Sequence, residues 1–228
     1  MKKHIPNAIT CLNLLSGCIG LVYAFDNQLI TAGYFILISA LFDFFDGMLA
    51  RLLKAYSEIG KELDSLADMV SFGVLPSVIV YQLFRIASPE QAYLSFFAFL
   101  IAIFSALRLA KFNIDTRQTE NFIGLPTPAN ALFILSLPHI VSSGTFAEYI
   151  LNPVILAIVT LVMSLLLVAE LPLFSLKFKN LKFSDNLFRF VLLGLSVIFL
   201  IILKFAAIPL IIVSYLILSF IQNSLESK

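Results

Sequence analysis

The sequence predicts an all-α, polytopic integral membrane helix bundle of about eight transmembrane helices, and three observations carry that expectation. Hydrophobic residues make up 60% of the 228 and charged residues 13%, against about 45–50% and about 25% in soluble domains. The mean hydropathy is +0.99. Apolar runs of membrane-spanning length recur along the chain, and helices satisfy their own backbone groups, as a bilayer interior requires. With no repeat and no low-complexity linker, residues 1–228 are expected to form a single membrane domain. A net charge of +1, with no basic stripe, gives no basis for nucleic-acid binding.

A bilayer core takes about 20 mostly apolar residues per helix. Eight segments qualify, at 8–25, 31–53, 66–84, 92–111, 128–143, 150–169, 188–204 and 208–222. The first follows Lys2 and Lys3 in the manner of a signal peptide. Asn13, Ser16 and Gly17 interrupt its apolar run, however, so it is expected to be retained as a span. Cys11 and Cys18 share one face of it and cannot bridge within it. No CxxC or His/Cys ligand spacing points to a zinc or redox site. The fifth segment is weakened by Pro128 and Pro138. The last two are parted only around Phe205, with Lys204 and Pro209 beside a tight hairpin.

Charge sets the expected orientation. With the N-terminus inside, thirteen of the fifteen Lys and Arg residues fall on the cytoplasmic side. These are Lys2 and Lys3; Arg51, Lys54 and Lys61; Arg108, Lys111 and Arg117; Lys177, Lys179, Lys182 and Arg189; and Lys228. Only Arg85 and Lys204 fall outside. Positive residues in short loops stay cytoplasmic, so both termini are expected on that side of the cytoplasmic membrane. The stretch from Leu171 to Asn186 alternates Phe and Leu with Lys. It reads as a positive loop on anionic headgroups, the alternative being a partner-binding helix. Tyr34, Tyr56, Tyr81 and Tyr93 suit an interfacial belt. His4 and His139 read as polar spots near the two surfaces.

One window stands apart. Four of the seven aspartates, Asp43, Asp46, Asp64 and Asp68, fall within 26 residues. Helical spacing puts Asp43, Asp46, Gly47, Ala50, Arg51 and Lys54 on one stripe of the second span. Gly60, Asp64 and Asp68 form a matching stripe where the third begins. Carboxylates inside a membrane are costly and usually mark function. Four together would repel unless divalent cations offset the charge, and all-oxygen ligands suit Mg²⁺ or Mn²⁺. Two such ions form a clamp for phosphoryl-type displacement. Gly47, Ala50 and Gly60 leave room for a bulky headgroup, Arg51 offers a fork for phosphate oxygens, and one carboxylate can act as general base. Salt bridging of the acids to Arg51, Lys54 and Lys61 is the purely structural alternative.

The arrangement Asp43-x-x-Asp46-Gly47-x-x-Ala50-Arg51, followed by Gly60, Asp64 and Asp68, resembles the complete signature of the CDP-alcohol phosphatidyltransferases. The resemblance implies two divalent metals, Mg²⁺ or Mn²⁺, on Asp43, Asp46, Asp64 and Asp68, with Asp68 also the base. It implies that Gly47, Arg51 and the Ser57 hydroxyl hold the CDP-linked substrate, with Ala50 and Gly60 beside them. Pro6-Asn7-x-x-Thr10 resembles the family's opening, so Asn7 or Thr10 is expected at the nucleotide; a helix cap is the alternative for Asn7. The Val70-Ser71-Phe72-Gly73 run, Leu107–Asn113 and Gly124–Ala129 are similar to the serine-using members.

The implied activity is transfer of a phosphatidyl group from CDP-diacylglycerol to L-serine, giving phosphatidylserine and CMP. A serine pocket needs a cation for the carboxylate, and Arg108 and Lys111 are the candidates. Snorkelling to headgroups is their alternative. Ser71 or Asn130 is a further candidate for the acceptor. The resemblance also implies a homodimer. Other acceptors (glycerol 3-phosphate or inositol phosphate), an intramembrane prenyltransferase and a cation transporter are the rival readings.

Overall fold

Small and polar side chains decide how the first helix packs. The computed structural model describes residues 4–115, 122–144, 146–176 and 182–226. In it, α1 (His4–Phe25) buries Pro6, Thr10, Asn13, Ser16, Gly17, Gly20 and Ala24. The residues that interrupt the apolar run are therefore its inward face. In lipid, small residues let backbones approach and polar ones bond across helices. A Cβ on Gly17 would collide with Ser71 Oγ, and one on Gly20 would stand 2.6 Å from Leu75 Cδ2. Two other helices meet this face: α2 (Leu29–Leu52) and α3 (Glu58–Asp68) both pack on α1.

The turns between these helices are set locally. Asn27 takes φ 60° after α1, while Gln28 N donates to Tyr23 O at 2.9 Å and Asn27 N to Ala24 O at 3.1 Å. This is the Schellman pattern, which needs one left-handed residue. Lys54, at φ 50°, ends α2 in the same way, with Ala55 N donating to Ala50 O at 2.9 Å. Ser57 then caps α3 by accepting from Gly60 N. The third helix thus starts eight residues before the apolar run does, because the cap rather than hydrophobicity fixes its origin.

After Asp68 the backbone widens into a π-helical turn (Met69–Val74) and continues as α4 (Leu75–Ala87). This 30-residue rod is the centre of the bundle. Its apolar window is 61% buried, against 33% for α1 and 11% for Leu187–Leu225. α5 (Leu100–Ile114) extends a 3₁₀ segment, Pro89–Phe99, kinked at Gln91. α6 (Thr127–Ser143) runs unbroken through the buried Pro138 and ends at Gly144. The short α7 (Ala147–Ile150) leads to α8 (Pro153–Val168), capped by Asn152. α9 (Leu187–Leu203) and α10 (Ala207–Glu226) pack on each other across a 3₁₀ turn at Lys204–Ala206. Ile201, Ile202 and Phe220 on this pair are at least 70% exposed, an apolar surface suited to lipid and not to water.

All eight expected segments are helical, and five helical stretches are long and apolar enough to cross a membrane: His4–Phe25, Leu29–Leu52, Glu58–Ala87, Pro89–Ile114 and Leu187–Leu225. α6 and α8 have only 17 and 16 residues, and α9 with α10 counts as one apolar stretch. The wholly helical expectation missed a small antiparallel pair, β1 (Phe122–Ile123) and β2 (Pro172–Leu173), with Phe122 opposite Leu173.

That pair also corrects the reading of 171–186 as a loop lying on headgroups for residues 173–175, while 177–181 lie outside the described residues. Leu173 and Phe174 are 2% exposed, Tyr215 Oη donates to Phe174 O at 2.8 Å, and Arg189 Nε donates to Ser175 O at 2.7 Å. Aromatic packing of Phe174 against Tyr215 pulls this half of the segment inward. Lys2, Lys3, Arg117, Lys177, Lys179 and Lys228 lie outside the described residues. Of the expected belt, Tyr34, Tyr56 and Tyr93 are exposed, whereas Tyr81 stacks on Phe99. His139 stacks on Phe205 with ring centroids 3.8 Å apart.

Candidate active site

Helical spacing places Asp43 and Asp46 on α2 and Asp64 and Asp68 on α3, and α1 lies against both helices. Three of the four carboxylates converge. Asp43, Asp64 and Asp68 each offer an oxygen within 4.8 Å of the others. Asp46 lies outside this triad, lines a cavity with Asp64, and is engaged by α1, since Thr10 Oγ1 donates to Asp46 Oδ2 at 2.7 Å. Three residues further along α1, Asn13 Nδ2 donates to Asp68 Oδ1 at 3.1 Å. One helix therefore holds an aspartate from each of the other two.

The residues fit divalent cations. The donors are all hard carboxylate oxygens, and Asp64 Oδ1 is buried with no hydrogen-bond partner among the described residues. A buried anionic acceptor without a donor is costly. A cation shared by three carboxylates removes that cost and their mutual repulsion together.

Two cavities flank the cluster and share Asp64. The first, about 220 Å³, is lined by Asn7, Thr10, Asp46, Gly47, Ala50, Ser57, Gly60 and Lys61 as well as Pro6, Ala55 and Tyr56. It gathers nearly every residue expected at the nucleotide. Ser57 lines it while capping α3, and because its oxygen accepts from Gly60 N at 3.0 Å, its own O–H remains a donor. Gly60 is small for a reason, as a Cβ there would lie 3.0 Å from both Asn7 Oδ1 and Ser57 Oγ. Arg51 is exposed, and its Nε donates to Gly47 O at 2.9 Å. It flanks this cavity through Gly47 without lining it.

The second cavity, about 240 Å³, is lined by Asp43, Asp64, Asp68, Arg108, Leu109, Phe112, Pro126, Thr127 and Pro128. Of the two expected cations, α5 presents Arg108 here, 5% exposed and with its guanidinium 5.1 Å from the Phe112 ring centroid. Lys111 is exposed and does not line this cavity. One helical turn separates them, but the three-residue step carries Lys111 off the buried stripe.

Ser71 does not line it either. In a regular α-helix it would follow Asp64 and Asp68 on one stripe, at i+7 and i+3. The π-helical turn opens at Met69 and rotates it away. Its hydroxyl donates to Asn13 O at 3.1 Å, between α1 and the rod. Such turns are frequent at functional sites, and no local residue pattern announced this one. Asn130 is fully buried without lining the cavity, and neither atom of its amide has a partner among the described residues.

The far wall of the second cavity is set by the strand pair. Gly124 takes φ 76°, Gly124 N donates to Leu171 O at 2.9 Å, and Leu125 N donates to Leu166 O at 2.8 Å. Gly124 and Leu125 are thereby pinned at the end of α8 and just beyond it, where carbonyls would otherwise lack donors, and Pro126, Thr127 and Pro128 follow directly. Lys61 Nζ donates to Asn113 O at 2.8 Å and Asn113 Nδ2 to Ser65 Oγ at 2.9 Å, tying α3 to the end of α5 between the two cavities. Sequence reasoning missed Asn13 as a site-building residue, and it singled out Asn113 and Gly124 only as parts of the stretches similar to serine-using members, without the contacts they make. A polar residue three after Thr10 on the same helical face was the available signal for Asn13.

Residues 3–202 match the family model of the CDP-alcohol phosphatidyltransferases. A CDP-diacylglycerol–serine O-phosphatidyltransferase of Bacillus subtilis (strain 168) is 36% identical over 169 residues, covering 74% of this chain and 89% of that protein. The enzyme of the same name from Helicobacter pylori (strain ATCC 700392 / 26695) is 33% identical over 201 residues, or 85% of this chain and 81% of that one. An archaetidylserine synthase of Methanothermobacter thermautotrophicus is similar over a shorter stretch, 35% identical over 135 residues, or 58% of this chain and 56% of that protein.

Proposed function

The chain belongs to the CDP-alcohol phosphatidyltransferase family, and from that premise we propose that it transfers a phosphatidyl group from CDP-diacylglycerol to L-serine, giving phosphatidylserine and CMP. The observation that carries this reading is the pair of cavities meeting at Asp64. One has the small residues and helix start suited to a nucleotide diphosphate, and the other has Arg108 beside three carboxylates.

The CDP moiety occupies the first cavity. Gly47, Ala50 and Gly60 let it approach the backbone there, and Asn7, Thr10 and Ser57 supply polar groups. The start of α3 adds N–H groups that favour an anion, and Lys61 and Arg51 add positive charge. Asp43, Asp46, Asp64 and Asp68 would hold two divalent cations, Mg²⁺ or Mn²⁺, which would neutralise charge on the diphosphate and on the departing CMP.

Serine occupies the second cavity, which Arg108 and Asp68 both line. Arg108 pairs with its carboxylate through two parallel N–H donors. Asp68 takes the proton of the serine hydroxyl. The serine oxygen then bonds to the lipid-side phosphorus, the bond from that phosphorus to the bridging oxygen breaks, and CMP leaves with the electron pair. The acyl chains stay in the bilayer, and the positive-inside bias supports a reaction on the cytoplasmic side.

The test is CMP release by the purified protein in detergent, with Mg²⁺ or Mn²⁺ and with serine, glycerol 3-phosphate, inositol phosphate or no acceptor. Release that needs both metal and serine is the expected result. Release with another acceptor would keep the chemistry and overturn the serine assignment. Cation flux without CMP release would overturn both.

A further inference from the structure

Asn13 is fully buried at the crossing of the three helices that build the site. Its backbone carbonyl accepts from Ser39 Oγ on α2 at 3.2 Å and from Ser71 Oγ on the π-helical turn at 3.1 Å. Those bonds hold the main chain whatever the side chain is. The side-chain amide does something separate, donating from Nδ2 to Asp68 Oδ1. Its own Oδ1 has no partner among the described residues. A buried amide that satisfies one end and leaves the other bare is not oriented by a local network. The carboxylate orients it, because turning it over would set oxygen against oxygen.

We propose that Asn13 is a positioning residue for Asp68. By occupying Oδ1, it fixes the carboxylate rotamer and leaves Oδ2 as the oxygen that serves the acceptor cavity, which Asp68 lines. The arrangement has a counterpart one turn earlier on α1, where Thr10 takes Oδ2 of Asp46. α1 thus sets the register between the carboxylates of α2 and α3 with two donors three residues apart. Outer partners that orient a ligating or reacting carboxylate typically matter 10- to 100-fold in metal affinity or activity, by order of magnitude. The inference rests on the reading of Asp68 as the base.

The test compares Asn13→Leu, of the same branched shape but larger and without a donor, with Ser39→Ala, which removes a hydrogen bond to the Asn13 backbone and leaves the amide in place. In detergent, Asn13→Leu should lower kcat about 10- to 100-fold with both KM values within about threefold, and should weaken Mn²⁺ binding followed by electron paramagnetic resonance. Ser39→Ala should lower Tm yet keep kcat within about twofold, as a packing change would. Asn13→Ser, polar but too short to reach Asp68, repeats the comparison should the leucine variant not fold. Wild-type kcat in both Asn13 variants, or an equal kcat loss in Ser39→Ala, overturns the inference. Asp68→Asn separates the two readings. If it keeps turnover, the base assignment falls and this inference with it. If it is inactive while Asn13→Leu is fully active, only the role of Asn13 falls.

Discussion

Gly124→Ala isolates the contact that sets the acceptor wall. Gly124 sits at φ 76°, where an L-residue costs about 1–2 kcal/mol. Its new Cβ would also lie 2.8 Å from Leu167 O and 2.9 Å from Ala169 O. Both obstacles are backbone carbonyls at the end of α8, so no side chain can rotate away, and overpacking of this kind adds about 1–3 kcal/mol. Gly144→Ala is the internal control, with φ 80° but nothing within 4 Å of its Cβ. It carries the backbone cost alone. Gly124→Ala should therefore be the less stable of the two by about 1–3 kcal/mol, read as a Tm difference of about 2–4 °C per kcal/mol in a chain of this size. Because Pro126, Thr127 and Pro128 follow the strained position and line the second cavity, the serine KM should rise severalfold while that for CDP-diacylglycerol stays within about twofold. Matching Tm values for the two variants, or a rise in both KM values together, would refute the reasoning.

Other perturbations probe the remaining parts of the site. Gly60→Ala places a methyl 3.0 Å from Asn7 Oδ1 and Ser57 Oγ; at the lower end of the ~1–3 kcal/mol of overpacking, the CDP-diacylglycerol KM should rise about tenfold and the serine KM should not move. Arg108→Lys keeps the charge but loses the planar fork, so serine KM should increase with little change for the nucleotide substrate; an unchanged serine KM would remove Arg108 from the pocket. Chelation should stop CMP release and added Mg²⁺ or Mn²⁺ should restore it. Asp43→Asn and Asp64→Asn should each weaken Mn²⁺ binding more than Asp46→Asn, because only the first two belong to the triad of converging oxygens. A larger effect at Asp46 would place the principal metal ligand outside the triad.

The aspartate spacing, the small residues beside it and the helical class were legible in the sequence because each follows from local rules. Periods of three and four put residues on one helical face, and a run of apolar residues in lipid has to be a helix. The first cavity was nearly complete in the sequence, since Asp46, Gly47, Ala50 and Gly60, read from their spacing, and Asn7, Thr10 and Ser57, implied by the family resemblance, all line it. What the sequence could not supply were the results of packing between distant segments. The π-helical turn packs against α1, where Ser71 meets Gly17 and Asn13, so the displacement of Ser71 from the aspartate stripe was invisible locally. The choice of Arg108 over Lys111 depends on which side of α5 faces the rod. The strand pair joins residues 122–123 to 172–173, and no period within either segment encodes that meeting. The hydrogen bond of Thr10 to Asp46 and that of Asn13 to Asp68 likewise exist only because α1 lies against both α2 and α3. The sequence alone determined which carboxylates gather on adjoining helix faces. The tertiary structure decided which oxygen of Asp46 and of Asp68 is engaged by a neighbouring helix, because hydrogen bonds across helices, unlike helical periodicity, form only once the helices have packed.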